Sequence, residues 1–180
     1  MNSFDIFCND LLEEAKRFNE KGTSESKLEG KNAYQHASLL LAICALEAYI
    51  NGISEEITIA KAFPTHEKGI LLEKEVKLEK GEWTLTNNLK MSRLTDKIEL
   101  LYKRHTRTHL TDTQKWWPTL KMGIDYRNKI THPKEEVIIS KDFCEKVIHS
   151  VIECLTDLYL AIYKRNFPKS HLSLTSKLDF

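Results

Sequence analysis

At 180 residues and 20.9 kDa the chain is long enough for one ordinary domain and short for two, so a single hydrophobic core is expected. Hydrophobic residues make up 41% and charged residues 29%, which excludes a mainly disordered chain, while six glycines and four prolines are too few for a turn-dense β-sandwich. The net charge of +1, from 27 Lys and Arg against 26 Asp and Glu, gives no uniform field, so a nucleic-acid partner would have to meet a local patch.

Phe4, Phe7, Cys8, Leu11, Ala15 and Phe18 recur at helical spacing and predict an amphipathic first helix, with Gly22 as its stop. Gly22 to Gly30 is small and polar and reads as a loop. From about Asn32 to Ile53 the chain is apolar nearly all round, as expected of a helix in the middle of a bundle. Over Ile57 to Asn88 the pattern is harder to read: Phe63-Pro64 breaks it, Glu67 to Lys80 suits a highly charged helix, and Gly81 to Asn88 suits a loop. Met91, Leu94, Ile98, Leu101 and Tyr102 return to a helical stripe, capped near Ser92 or Thr95. After the polar run Arg104 to Lys115, Pro118 suits a first helical turn, and Leu120, Ile124, Arg127 and Thr131 then share one face. Pro133 disfavours helical geometry at His132, so this helix should end a residue or two before His132. Glu135 to Ser140 is short and extended, and Ser140 can cap a long last helix running from Cys144 past Ile162. The tail beyond Arg165 has no sustained pattern and is expected to fray or to dock on the surface. The expected architecture is all-α: an up-and-down bundle of about five helices over residues 1–165, with a short extended connection before the last helix and a tail over 166–180.

Cys8, Cys44, Cys144 and Cys154 have no CxxC spacing and fall within apolar helical patterns, so they are expected to pack as small hydrophobes rather than to hold zinc or form disulfides. The N-terminus lacks a signal-peptide pattern, and Glu47 interrupts the longest apolar stretch, so a cytoplasmic protein without a membrane span is expected. Glycine-rich phosphate loops, GxSxG, HExxH and calcium-loop motifs do not occur, and no cofactor or metal is expected. His105 and His109, four apart, could share a helix face as metal ligands, but a third ligand at a telling spacing is missing.

Three Arg–His pairs have four or five residues between them: Arg104 with His109, Arg127 with His132, and Arg165 with His171. The spacing alone decides little. Only Arg127 lies on an apolar helical stripe, and only His132 is fixed by a following proline. The segment Arg127 to Pro133 (RNKITHP), near the end of the penultimate helix, and Ala45 to Asn51 (ALEAYIN), on the apolar second helix, make the chain resemble the HEPN superfamily. These are small helical bundles that often act as metal-independent RNases. The order of elements matches over most of the chain, but the specific part is confined to those two segments. The resemblance implies Arg127 and His132 as catalytic residues, Asn128 as the polar residue following the motif Arg, and Glu47 as the acidic residue approaching from an earlier helix. It also implies an RNA substrate, a homodimer with a composite site, and a setting in bacterial defence or a toxin system with an antitoxin or regulatory protein. The toxin branch paired with nucleotidyltransferase antitoxins commonly has Tyr two residues after the His; Lys134 stands there and argues against that branch.

The chemistry suits these residue types independently. RNA carries its own nucleophile, the 2′-OH; cleavage needs that proton removed, phosphate charge stabilised and the leaving 5′-oxygen protonated. A guanidinium fork matches two phosphate oxygens as a permanent cation, and an imidazole exchanges protons near neutral pH. The competing readings are structural. Arg127 could satisfy carbonyls or a carboxylate at the helix end, His132 could be a plain turn residue, and Glu47 could be a salt-bridge partner at the core edge. Trp116 and Trp117 suit core anchors better than base-stacking platforms. Lys103, Arg104 and Arg107 with the two histidines could bind phosphate or form a solvated face. A non-catalytic module that binds RNA, a nucleotide or a protein through Arg127 is the alternative from a different functional class.

Overall fold

The computed structural model describes residues 3–60, 62–110, 114–168 and 173–180. Among these the chain is mostly helical, with helices α1 (Ser3–Ser24), α2 (Leu28–Ala60), α3 (Thr65–Leu71), α4 (Leu94–Thr106), α5 (Trp116–Thr131) and α6 (Lys141–Tyr163), and one antiparallel hairpin of β1 (Lys74–Glu79) and β2 (Glu82–Leu89). The chain divides into two compact units, Met1–Leu46 with Thr111–Phe180, and Glu47–Leu110; α2 contributes residues to both.

In the first unit, α1, the first part of α2, α5 and α6 pack through apolar side chains that include Leu12, Leu39, Ile43, Leu120, Val147 and Val151. These helices approach closely. A Cβ at Gly123 of α5 would lie 2.7 and 3.0 Å from the two methyls of Val147 on α6, and a Cβ at Gly22 of α1 would lie 2.6 Å from Gln35 Nε2 and 3.1 Å from Tyr34 Cβ on α2. Gly22 was expected to stop the first helix, yet α1 runs through it to Ser24. Its role is steric: a missing side chain lets α2 come close. Polar bonds fix the same contacts. Ser38 Oγ donates to the Ala15 carbonyl at 2.8 Å, Cys144 Sγ to the Gln35 carbonyl at 3.4 Å, and Trp116 Nε1 to Asp157 Oδ2 at 2.7 Å. Trp116 and Trp117 are core anchors, buried edge to face with centroids 5.8 Å apart.

Ser140 caps α6 as expected, accepting from the Phe143 N–H at 3.2 Å. The tail also docks. Ser176 N–H donates to Glu20 Oε1 at 2.9 Å, Lys177 N–H to Glu13 Oε2 at 2.7 Å, and Arg17 Nη2 to the Phe180 oxygen at 2.6 Å. Glu13 also holds Lys16 Nζ at 3.2 Å, a lysine with no solvent exposure.

The second unit departs from the expectation of charged helix followed by loop over Glu67 to Asn88. α3 is short, and the chain then turns back as the hairpin, with Leu78 opposite Trp83 and Glu79 opposite Glu82. The cause is the turn Lys80-Gly81: both residues have positive φ, 50° and 88°, the twist a two-residue hairpin turn requires, and the flanking residues alternate. Lys97 of α4 organises this unit. Its Nζ is 2.8 Å from Glu73 Oε1 and 2.8 Å from Asn51 Oδ1, with the side chain 3% exposed. Arg104 pairs with Glu67 at 3.1 Å and stacks over Phe63.

Of the four cysteines, Cys8, Cys144 and Cys154 are buried, whereas Cys44 is exposed, against the expectation that all four pack inward. Helix α2 is apolar on every side and not every side is covered. Burial, with Asp5 nearby, pushes the Cys8 thiol up to about 11; burial pushes Cys144 up to about 12 and Cys154 well above its ordinary value.

Four outcomes follow from this packing. Gly123→Ala should lower stability by about 1–2 kcal/mol in urea titration, because the stiff Val147 methyls cannot yield and the clash outweighs the helix-propensity gain of about 1 kcal/mol. Lys97→Ala should cost about 2–4 kcal/mol by leaving Glu73 without its buried cation, and the pair Lys97→Met with Glu73→Gln should recover much of that loss. In the folded protein at pH 8 a maleimide should label Cys44 rapidly and the other three only on unfolding. Because the folded state keeps protons that unfolded thiols release, these three cysteines should lower stability as pH rises above about 8.5.

Candidate active site at the end of α5

The residues in question are set by how α5 ends. Its N-terminal half is held by Trp116, Leu120 and Gly123, so the face carrying Ile124 and Arg127 turns toward the packed side of the first unit. Arg127 is half-buried, and its Nε is sealed from solvent. Next to it, the Tyr126 ring packs on Phe143 of α6 at 4.9 Å, and Lys129 lies over Tyr126 while pairing with Asp125 at 3.3 Å.

The helix closes at Thr131, one residue before His132, as Pro133 requires. Thr131 Oγ1 lies 3.1 Å from the carbonyl oxygens of both Arg127 and Asn128, and the His132 N–H donates to the Asn128 carbonyl at 2.9 Å. His132 leaves the helix at φ −130° and ψ 64°, with an exposed side chain. Asn128 is exposed as well. The chain then runs without strand pairing to Ser140, pinned where His36 Nε2 meets the Val137 carbonyl at 2.7 Å and where Ile139 is buried. His36 carried no motif signal; its positioning contact joins residues 101 apart in sequence.

The structure thus brings Arg127, Asn128 and His132 together at one helix exit in the first unit. Glu47 is half-buried on the part of α2 that belongs to the second unit. The backbone at this end of α5 presents carbonyls and the negative end of the helix dipole, so an anion held here is held by side-chain cations, Arg127 and Lys129 foremost. An exposed imidazole and a guanidinium on one helix end suit proton transfer and charge stabilisation at a phosphodiester.

The other motif pairs have different surroundings. Arg104 is committed to Glu67, Phe63 and the Ala62 carbonyl. His105 Nδ1 meets the Leu101 carbonyl at 2.9 Å, while His109 lies beyond the end of α4, so the two histidines do not share a helix face. Lys103 and His109 line a recess of about 340 Å³ together with Asp96 and Glu99, a mixed surface rather than a basic patch. Arg107 closes α4 in the left-handed conformation, φ 63°. His171 lies outside the described residues. Among the described residues no group of three His, Cys, Asp or Glu side chains is placed to hold a metal ion. Among the described residues one helix, α2, is long and apolar enough to cross a membrane by length and composition, and 56% of an 18-residue apolar stretch within it is buried in the protein.

The chain matches no family model, and no curated protein or solved structure matches it.

Proposed function

We propose that the chain is a metal-independent endoribonuclease of HEPN type, working as a homodimer that brings two copies of the α5 end to one cleft. The observation that carries this reading is the exit of α5: a half-buried Arg127 on a packed helix, followed by an exposed His132 held outside the helix by Pro133. Arg127 clamps the scissile phosphate, and its packed position lowers the entropy lost on binding. Lys129 adds charge, and Asn128 offers an amide to the phosphate or a base.

One His132 removes the 2′-OH proton. The 2′-oxygen attacks phosphorus, the bond to the 5′-oxygen breaks, and the second copy's histidine protonates the leaving oxygen. The products are a 2′,3′-cyclic phosphate and a 5′-hydroxyl. Two histidines divide the base and acid roles between them, which is why the reading requires a two-fold dimer. Glu47 is the acidic residue that the family resemblance would bring to the site. The same resemblance suggests a role in bacterial defence or a toxin system, with an antitoxin or regulatory protein as partner.

Purified protein incubated with total RNA and tRNA in EDTA should cleave and leave cyclic-phosphate ends. His132→Ala should lower the rate by at least about 10²-fold with stability changed by no more than about 0.5 kcal/mol, since the side chain is exposed. Arg127→Lys should lower it by about 10-fold or more, keeping the charge and losing the fork. Absence of cleavage, with RNA binding lost in Arg127→Ala, would replace the nuclease with a binding module; cleavage indifferent to both residues would exclude this site.

A further inference from the structure

His132 opens the connection 132–140, which forms no helix or strand and is exposed from His132 to Glu136. At the helix end this connection is held by the His132 N–H on the Asn128 carbonyl, and the next fixed point is Val137, whose carbonyl lies 2.7 Å from His36 Nε2. Because a carbonyl oxygen only accepts, Nε2 carries the proton and donates it. Beyond Val137 come the buried Ile139 and the Ser140 cap of α6. Only residues 133–136 lie between the two nearest anchors; without His36 the free run extends over 133–138. His36 itself stands on a firmly held turn of α2. One residue before it the Gln35 carbonyl accepts from Cys144 Sγ of α6, and two residues after it Ser38 Oγ donates to the Ala15 carbonyl of α1, both bonds being buried. Three helices thus fix the level at which this imidazole meets the connection.

We propose that His36 is a positioning residue of the site: by holding Val137 it sets the direction in which His132 is presented, while Arg127 is left to the helix. The catalytic consequence rests on the nuclease reading; the anchoring does not. At φ −130° His132 has left the helical value of about −63°. Rotation about N–Cα carries Cβ with it, so the direction of the His132 ring follows the path of the chain after the helix. Arg127 lies inside α5, one turn before its end, and does not depend on that path. The two roles therefore separate. Loss of the anchor turns His132 away from the 2′-OH and slows proton transfer, while the phosphate is still clamped, so the loss falls on kcat and spares KM. Donor reach distinguishes this role from simple packing. Gln carries an N–H as many bonds from the backbone as the imidazole Nε2, Asn carries one a bond shorter, and Leu carries none.

The test compares the full wild-type chain with His36→Gln, His36→Asn and His36→Leu, each confirmed as folded by circular dichroism, in two readouts. With RNA, His36→Leu and His36→Asn should lower kcat about tenfold or more with KM changed by no more than about twofold, and His36→Gln should recover most of the rate. A protease that cuts after glutamate should open the native protein at Glu135 and Glu136 faster in His36→Leu and His36→Asn than in the wild type or His36→Gln. An unchanged kcat in His36→Leu overturns the proposal, and so does an equal loss in all three variants, which marks a general packing role. Wild-type protein that leaves RNA intact sinks the nuclease reading instead, and the protease series then decides alone whether His36 anchors the connection. Equal digestion of all four proteins overturns the proposal in either case.

Discussion

Where α5 crosses α6 there is no room for a side chain at Gly123: the Val147 methyls occupy the space a Cβ would fill, and Ile43 of α2 stands 3.5 Å behind. Because Val is rigid about its own Cβ, the contact fixes the roll and depth of α5 more firmly than a leucine interface would. The Trp116–Asp157 bond one end away and the Tyr126–Phe143 stacking just beyond fix its direction. Arg127 lies one turn past Gly123 on the same helix. Its position is inherited from the core rather than from a loop, and so is the point at which His132 leaves.

The electrostatics of that helix end differ from the common phosphate site. Helix N-termini offer N–H groups and a positive dipole end to anions; the end of α5 offers carbonyls already occupied by Thr131 and His132. An anion bound here is therefore resisted by the backbone and attracted by side chains. Such a site discriminates by the number and placement of its cations, and two copies of the end would double them.

What the sequence made legible was local chemistry. Proline after His132 ended α5 and Ser140 began α6, because both rules act within a few residues. The charged run KEVKLEK hid a strand, since acids and bases spaced along it satisfy a helix as readily as a guarded hairpin, and only the Lys80-Gly81 turn separates the two. Gly22 and Cys44 depart from expectation for the opposite reason. Whether a glycine stops a helix or admits a neighbour, and whether a cysteine on an apolar helix is covered, depends on segments far away in the chain. The α5 end was legible as a motif, while the contact that holds the following segment, His36 on Val137, was not.

Residues 173–180 dock on α1 through main chain and side chains together. The N–H groups of Ser176 and Lys177 meet Glu20 and Glu13 and Arg17 meets the Phe180 oxygen, while Ser176 Oγ donates to the Glu13 carbonyl, Asp179 pairs with Arg17 and the Phe180 ring packs on Phe18. Replacement of the exposed Lys177 side chain leaves the contact in place, whereas a proline there removes a donor from Glu13, the carboxylate that also neutralises the sealed Lys16. The least patterned stretch of the chain is thus tied to one of its most deeply buried charges, and its freedom to vary ends where its backbone is needed.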